Sequence, residues 1–460
     1  MIQEFINKIK NKEIDPVEHI EKVLEECKKI NKEYNYFNTI SEELARQQAK
    51  AIKKNPKGKL AGLPISVKDS ICVQGVESTA GSRILKGYKP LFHATAVQKA
   101  VNEGAIIIGK TSQDEFGFGG FSTNVGLDYK VPKNPFDKER ATGGSSGGAA
   151  GLTQKASFAH LALGESTGGS ITNPASFCGV FGLCPTYGLV SRYGLIDYGN
   201  SLDKVGPLGK SIEDVTLGME TIAGFDEKDS TSSQELMKPF KGKTLKIGII
   251  KEGKGEGIDP AVDKAFWNKV KQLEKNGFSY TEVELPLTMK YGISTYYIIA
   301  TSEASTNLAK YCGMRYGAEE TLQGDFNEYF SKVRSLHFGK EAKRRIILGT
   351  FARMAGYRDA YYIKAMQVRT KMIQEYQHAF KKVDVLVSPT TPITAPEFSE
   401  IARLTPLQNY KLDTLTVGPN LAGLPHLNIP IGSEKNLPMG MQVIGNHFEE
   451  QKVLFLGKQG

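Results

Sequence analysis

Two glycine–serine clusters, Gly143-Gly144-Ser145-Ser146-Gly147-Gly148 and Gly164-Glu165-Ser166-Thr167-Gly168-Gly169-Ser170, stand on either side of the apolar run Phe158 to Leu163. A short apolar run bounded by turn formers reads as a buried strand. Alone, the first cluster would pass for a flexible linker. Ordered apolar sequence nevertheless continues beyond the second, in Asn173-Pro174-Ala175 and Val180-Phe181-Gly182-Leu183. The chain must therefore turn sharply near a buried strand, and glycine pairs before a serine permit that turn while presenting adjacent N–H groups to one point.

Similar apolar runs recur at Leu63 to Val67, Ala105 to Ile108 and Ile247 to Ile250, with helical stretches between them, so the fold class is α/β. Residues 1–55 are predicted to form an N-terminal helical segment. Ile2, Phe5, Ile6 and Ile9 share one face, Ile20, Val23, Leu24, Cys27 and Ile30 share another, and Asp15-Pro16 marks a helix start between them. A helix-rich tract, residues 259–381, reads as an insertion before a returning strand at Val383 to Val387. No Pro- or Ser-rich linker divides the chain, so a single domain over residues 1–460 is expected.

No stretch approaches the roughly 18 uninterrupted apolar residues of a membrane helix, and the N-terminus mixes acids with bases, which places the chain in the cytoplasm. The 5 cysteines are scattered and match no zinc or redox spacing, so they read as structural and no metal site is expected. A net charge of +9 suits a partner that carries nucleic acid, although the basic runs Lys8 to Lys12 and Lys50 to Lys59 are interleaved with neutral residues and read as solvated faces. Gly209-Lys210-Ser211 lacks the upstream glycine of a phosphate-binding loop, since Lys204 stands there.

A serine hydroxyl needs a base to become a nucleophile, and imidazole is the usual one. Of the 7 histidines, only His160 lies between the clusters, inside an apolar run where a core histidine is expected. Lysine can serve when burial disfavours its ammonium form. Lys68 follows the apolar run Leu63-Pro64-Ile65-Ser66-Val67, which offers such burial.

Together, Leu63-Pro64-Ile65-Ser66-Val67-Lys68-Asp69, Gly143 to Gly148, and Thr167-Gly168-Gly169-Ser170-Ile171 with Pro174-Ala175 resemble the amidase signature enzymes. The likeness continues through Pro185-Thr186-Tyr187-Gly188, Ser201-Leu202-Asp203 and Asn420-Leu421-Ala422-Gly423-Leu424-Pro425, and so covers nearly the whole chain. It implies a central mixed β-sheet flanked by helices on both faces. By resemblance, Ser170 is the nucleophile, Ser145 a bridging serine after a cis peptide and Lys68 the base, with an oxyanion site at Thr167, Gly168 and Gly169.

Within the family, Asp114-Glu115-Phe116, Ser302-Glu303-Ala304-Ser305 and Lys343-Arg344-Arg345-Ile346 are most similar to the glutaminase components of tRNA-dependent amidotransferases. That likeness implies glutamine as the amide donor, with Arg345 for its carboxylate, Asp413 for its ammonium, and Tyr296 and Ser122 as lesser contacts. It also implies a B-type partner subunit, with or without a small C-type subunit, and charged tRNA reached mainly through the partner. No cofactor is expected in this chain, ATP and Mg being expected at the partner.

Several positions depart from the family pattern. Ser166 replaces a common aspartate, Thr172 a common arginine and Cys184 a common lysine, and Ser145 and Ser170 stand 25 residues apart, one more than usual. These changes put support of the site in question and keep a non-catalytic scaffold as an alternative. The final helix is expected to be truncated, because the chain ends soon after Gly445. A free-standing amidase acting on another carboxamide is a further alternative. Gly164-Glu165-Ser166-Thr167-Gly168 also matches the nucleophile elbow of α/β-hydrolases, with Ser166 as nucleophile, but that reading leaves Lys68 and the first cluster unexplained.

Overall fold

A computed structural model describes residues 2–459. The N-terminal stripes bury as their spacing requires: helix Ile2–Lys10 turns Ile2, Phe5, Ile6 and Ile9 inward, and helix Pro16–Tyr34 buries Ile20, Val23, Leu24, Cys27 and Ile30. Asp15 caps the second helix by accepting the Val17 N–H at 2.8 Å, with Pro16 in the first turn. A strand, β1 (Phe37–Ile40), separates this pair from helix Glu42–Lys54, so the segment 1–55 is not helical throughout. Four residues at a sheet edge are too few to betray a period.

The remaining strands are β2 (Pro64–Lys68), β3 (Ile106–Thr111), β4 (Leu161–Ser166), β5 (Phe181–Cys184), β6 (Lys204–Gly209), β7 (Lys246–Ile250), β8 (Ser279–Val283), β9 (Val385–Pro389), β10 (His426–Glu434) and β11 (Leu437–Gly445). They form one 11-stranded sheet in the order β1-β3-β2-β4-β6-β5-β10-β11-β9-β7-β8. Parallel pairs lie near both edges (β2 with β3 and β4; β7 with β8 and β9), and antiparallel pairs fill the middle, so the sheet is mixed and helices cover both faces.

Two boundaries differ from the sequence expectation. β4 begins at Leu161, because Phe158 packs among the N-terminal helices with Ile30 and Tyr34 instead of entering the ladder. Strand β8 lies inside the tract 259–381, where its largely exposed Ser-Tyr-Thr-Glu face hid it among helices. The helical part proper runs from Pro286–Asn307 through Phe326–His337 and Lys340–Arg353 to Lys364–Ala379. Its Ile299, Tyr329, Phe338 and Met372 pack in one core with Ile84, Phe116, Phe118 and Leu202 from the earlier part of the chain.

The register positions the site. β2 and β4 run parallel with Val67 opposite Leu163, so Lys68 and the Glu165–Ser166 end of β4 emerge at the same edge. β6 runs antiparallel with Lys204 opposite Ser166, which brings Asp203 to that edge as well. The carboxyl ends of parallel strands open the crevice in which α/β proteins hold ligands. No helix among the described residues is long and apolar enough to cross a membrane.

Candidate active site

Lys68 ends β2 fully buried, and its Nζ has three polar neighbours: Ser145 Oγ at 2.6 Å, the Glu165 carbonyl at 2.9 Å and Glu165 Oε2 at 2.8 Å. Ser145 follows a cis peptide from Gly144, in the turn before helix Gly147–Lys155. Gly143, at φ +74°, starts that turn, and a Cβ there would lie 2.8 Å from the Pro174 backbone. The turn is tied to the second cluster by the Ser146 N–H, which donates to the Ser170 carbonyl at 3.1 Å. All three residues are buried, Ser170 at 6% exposed and Lys68 and Ser145 at 0%.

The segment leading to Ser170 is oriented through its carbonyls. Asn420 donates to the Thr167 carbonyl, Ser166 Oγ to that of Gly168 at 3.1 Å, and the Asn173 N–H to that of Gly169 at 2.7 Å. A trans peptide points its N–H opposite its C=O, so the N–H groups of Gly168, Gly169 and Ser170 face away from these partners. Such a row of unspent donors suits a developing oxyanion. Gly169 has no room for a side chain, since a Cβ would stand 2.4 Å from Thr416 Oγ1.

The predicted substrate contacts converge beside this segment. Arg345, 2% exposed on helix Lys340–Arg353, donates from Nε to Glu341 at 2.9 Å and from Nη1 to Tyr198 Oη at 2.6 Å. Its guanidinium lies 5.1–5.7 Å from the rings of Phe118, Tyr198, Tyr297 and Tyr410. Asp413 accepts from Tyr297 Oη at 2.9 Å and from Asn173 at 2.7 Å, which links it to the Ser170 turn. Burial pushes its carboxyl up, against the pull of those two hydrogen bonds. Tyr296 packs on Gly168, where a Cβ would be 3.0 Å from its ring. Ser122 accepts the Gly147 N–H at 3.2 Å and so braces the Ser145 turn.

The sequence profile of the Amidase family matches residues 18–454. The chain belongs to the amidase signature family. Among curated relatives, the A-type component of glutamyl-tRNA(Gln) amidotransferase from Sulfurihydrogenibium sp. is 43% identical over 98% of this chain and 95% of its own length. Its namesake in Methanosarcina mazei is 45% identical over 97% and 93%. The crystal structure of the corresponding glutamyl-tRNA(Gln) amidotransferase component from Thermotoga maritima superposes with a TM-score of 0.77 at 36% identity, covering 93% of this chain and 87% of that one.

Against that family background, the unusual residues of this amidase occupy polar positions in the site's support. Ser166 holds the Gly168 carbonyl, Thr172 Oγ1 lies 3.4 Å from that of Gly169, and Cys184 Sγ donates to Asn420 Oδ1 at 3.6 Å. With its hydroxyl so engaged and fully buried, Ser166 is a brace rather than an exposed elbow. His160 lies just before β4, hydrogen-bonded to Ser66 and Thr153, and burial pushes its pKa down to about 3, so it is a neutral core residue. All five cysteines are free. Tyr297, Asn173 and Glu165 escaped the sequence reading. A signal existed only for Glu165, a carboxylate one position before the family's missing aspartate.

Proposed function

We propose that this amidase is the glutaminase subunit of a tRNA-dependent amidotransferase, with Ser170 as nucleophile, Ser145 as relay and Lys68 as base. The observation that carries the chemistry is the buried contact of 2.6 Å between Lys68 Nζ and Ser145 Oγ, beside the Ser170 turn. With Nζ as an amine, its two N–H groups satisfy Glu165 and its lone pair faces Ser145. Ser145 passes its proton to Lys68 and takes that of Ser170, whose oxygen attacks the carboxamide carbon. The N–H groups from Thr167 to Ser170 receive the oxyanion. Its collapse returns the proton to the leaving nitrogen, giving ammonia and an acyl-enzyme that water hydrolyses to glutamate.

Arg345 and Asp413 support glutamine as the donor, since one reads a carboxylate and the other an ammonium. The ammonia would pass to a B-type partner, with or without a small C-type subunit, and ATP and Mg would act there to activate the charged tRNA. The names of the relatives favour Glu-tRNA(Gln) over Asp-tRNA(Asn) as the acceptor. The deciding test is ammonia release by the chain, alone and co-expressed with its partner: kcat/KM for glutamine should exceed that for acetamide or a fatty amide. A better rate on the simple amide would remove the amidotransferase reading and leave the amidase.

The substrate clamp has its own test. Arg345→Ala should lower kcat/KM for glutamine by about 2 to 4 kcal/mol, mainly through KM, because a charge-assisted pair to the substrate carboxylate is lost. An unchanged KM would assign the carboxylate to another residue.

A further inference from the structure

Behind Lys68 lies a chain of polar side chains to which the reaction above passes no proton. Glu165 Oε2 lies 2.8 Å from Lys68 Nζ, and its other oxygen, Oε1, lies 2.9 Å from Thr167 Oγ1. Thr167 Oγ1 is in turn 2.7 Å from Asp203 Oδ1. The four residues are 0–3% exposed and come from the adjoining ends of β2, β4 and β6. Asp203 also accepts the N–H groups of Tyr198 and Gly199 at 2.9–3.1 Å.

Hydrogen counting constrains the chain. The Thr167 hydroxyl has one proton but touches two carboxyl groups, so it can donate to one of them and must accept from the other. One carboxyl therefore carries a proton. Burial, followed by the nearby Glu165 carboxylate, pushes Asp203 well above the usual carboxylate range, which puts the proton there. Asp203 donates to Thr167 and Thr167 donates to Glu165, leaving Glu165 as the anion facing Lys68. The group is then neutral overall when Lys68 is an ammonium.

We propose, resting on the assignment of Lys68 as base, that Glu165 is a positioning residue that exchanges a proton with Lys68 and so generates the amine the reaction needs. An N–H bond of the Lys68 ammonium breaks, an O–H bond forms at Glu165 Oε2, and the ion pair becomes amine plus carboxylic acid without a net charge being left in the interior. A lone buried ammonium could lose its proton only to solvent, and none of these groups has ready access to it. Rotation about the Cε–Nζ bond turns the freed lone pair from Glu165 to Ser145, whose proton it takes as Ser170 attacks. When the tetrahedral intermediate collapses, that proton goes back through Ser145 to the leaving nitrogen, and Glu165 returns its own to Lys68. Thr167 and Asp203 keep the Glu165 carboxylate aimed at Nζ throughout.

Glu165→Gln tests this with little change of shape. The amide accepts from Lys68 through its oxygen and donates to Thr167 through its nitrogen, and the Thr167 hydroxyl then donates to Asp203, which gives up its proton; the contacts are kept, but residue 165 can no longer take up a proton. Measured on glutamine with the full chain and its partner, kcat should fall by roughly 10²-fold with KM within about twofold of wild type. Glu165→Asp, which keeps the proton acceptor at shorter reach, should recover part of that loss. A Glu165→Gln variant with wild-type kcat would overturn the proposal, and so would a Glu165→Asp variant no better than Glu165→Gln. If the wild-type chain itself releases no ammonia and is not labelled at Ser170 by a sulfonyl fluoride, the underlying assignment fails instead.

Discussion

Ser170→Ala is expected to end glutamine hydrolysis, with kcat lowered by about 10⁵-fold or more, the scale seen when a serine nucleophile is deleted. The variant loses the atom that would bond to the acyl carbon, so radiolabelled glutamine should leave no labelled enzyme after acid quench. Binding should persist, because Arg345 and Asp413 are held by Glu341, Tyr198, Tyr297 and Asn173 and not by the Ser170 hydroxyl. Isothermal titration of the variant with glutamine is the accompanying measurement. Substantial remaining turnover would send the search for the nucleophile to another hydroxyl, Ser166 first.

Lys68→Ala and Ser145→Ala should each lower kcat by about 10³- to 10⁴-fold. Their combination should be little worse than either alone. The reason is the single contact of 2.6 Å between them: a relay broken at one link gains nothing from the other. Steady-state kinetics of the two single variants and the double variant complete a cycle. Losses that multiply would mean that lysine and serine act separately, and the relay would have to be abandoned. The Lys68 variant also leaves Glu165 facing an apolar methyl, so its melting temperature should be measured beside its activity.

The serines and the lysine proposed for the reaction were legible because their signals are local. Glycines that must turn and a lysine after an apolar run each sit in one short stretch, and three such stretches in order pointed to one family. The N-terminal helices were legible for the same reason, through the period of Ile2, Phe5, Ile6 and Ile9. What escaped depends on neighbours distant in the chain. Strands β1 and β8 are edges, one too short and the other too exposed to carry an apolar alternation. Tyr297 matters because it touches both Arg345 and Asp413, and Asp203 because β6 starts beside the end of β4. No window of sequence contains those contacts. Asn173 and Asp413 are 240 residues apart and meet at 2.7 Å.

The residues proposed for the reaction and those proposed for reading glutamine come from different parts of the architecture. Lys68, Ser145 and Ser170 belong to strand ends and the turns beside them, whereas Arg345, Tyr296 and Tyr297 belong to the helices Lys340–Arg353 and Pro286–Asn307, and Asp413 to the short turn Lys411–Leu415. The two sets meet chiefly through Asn173 and Gly168. Inheritance can act on them separately: a lineage could rewrite the helices to admit a different carboxamide while the strand ends stay as they are. For an engineer, libraries aimed at new substrates belong at residues 286–307, 340–353 and 411–415, and the two glycine–serine clusters are best left alone.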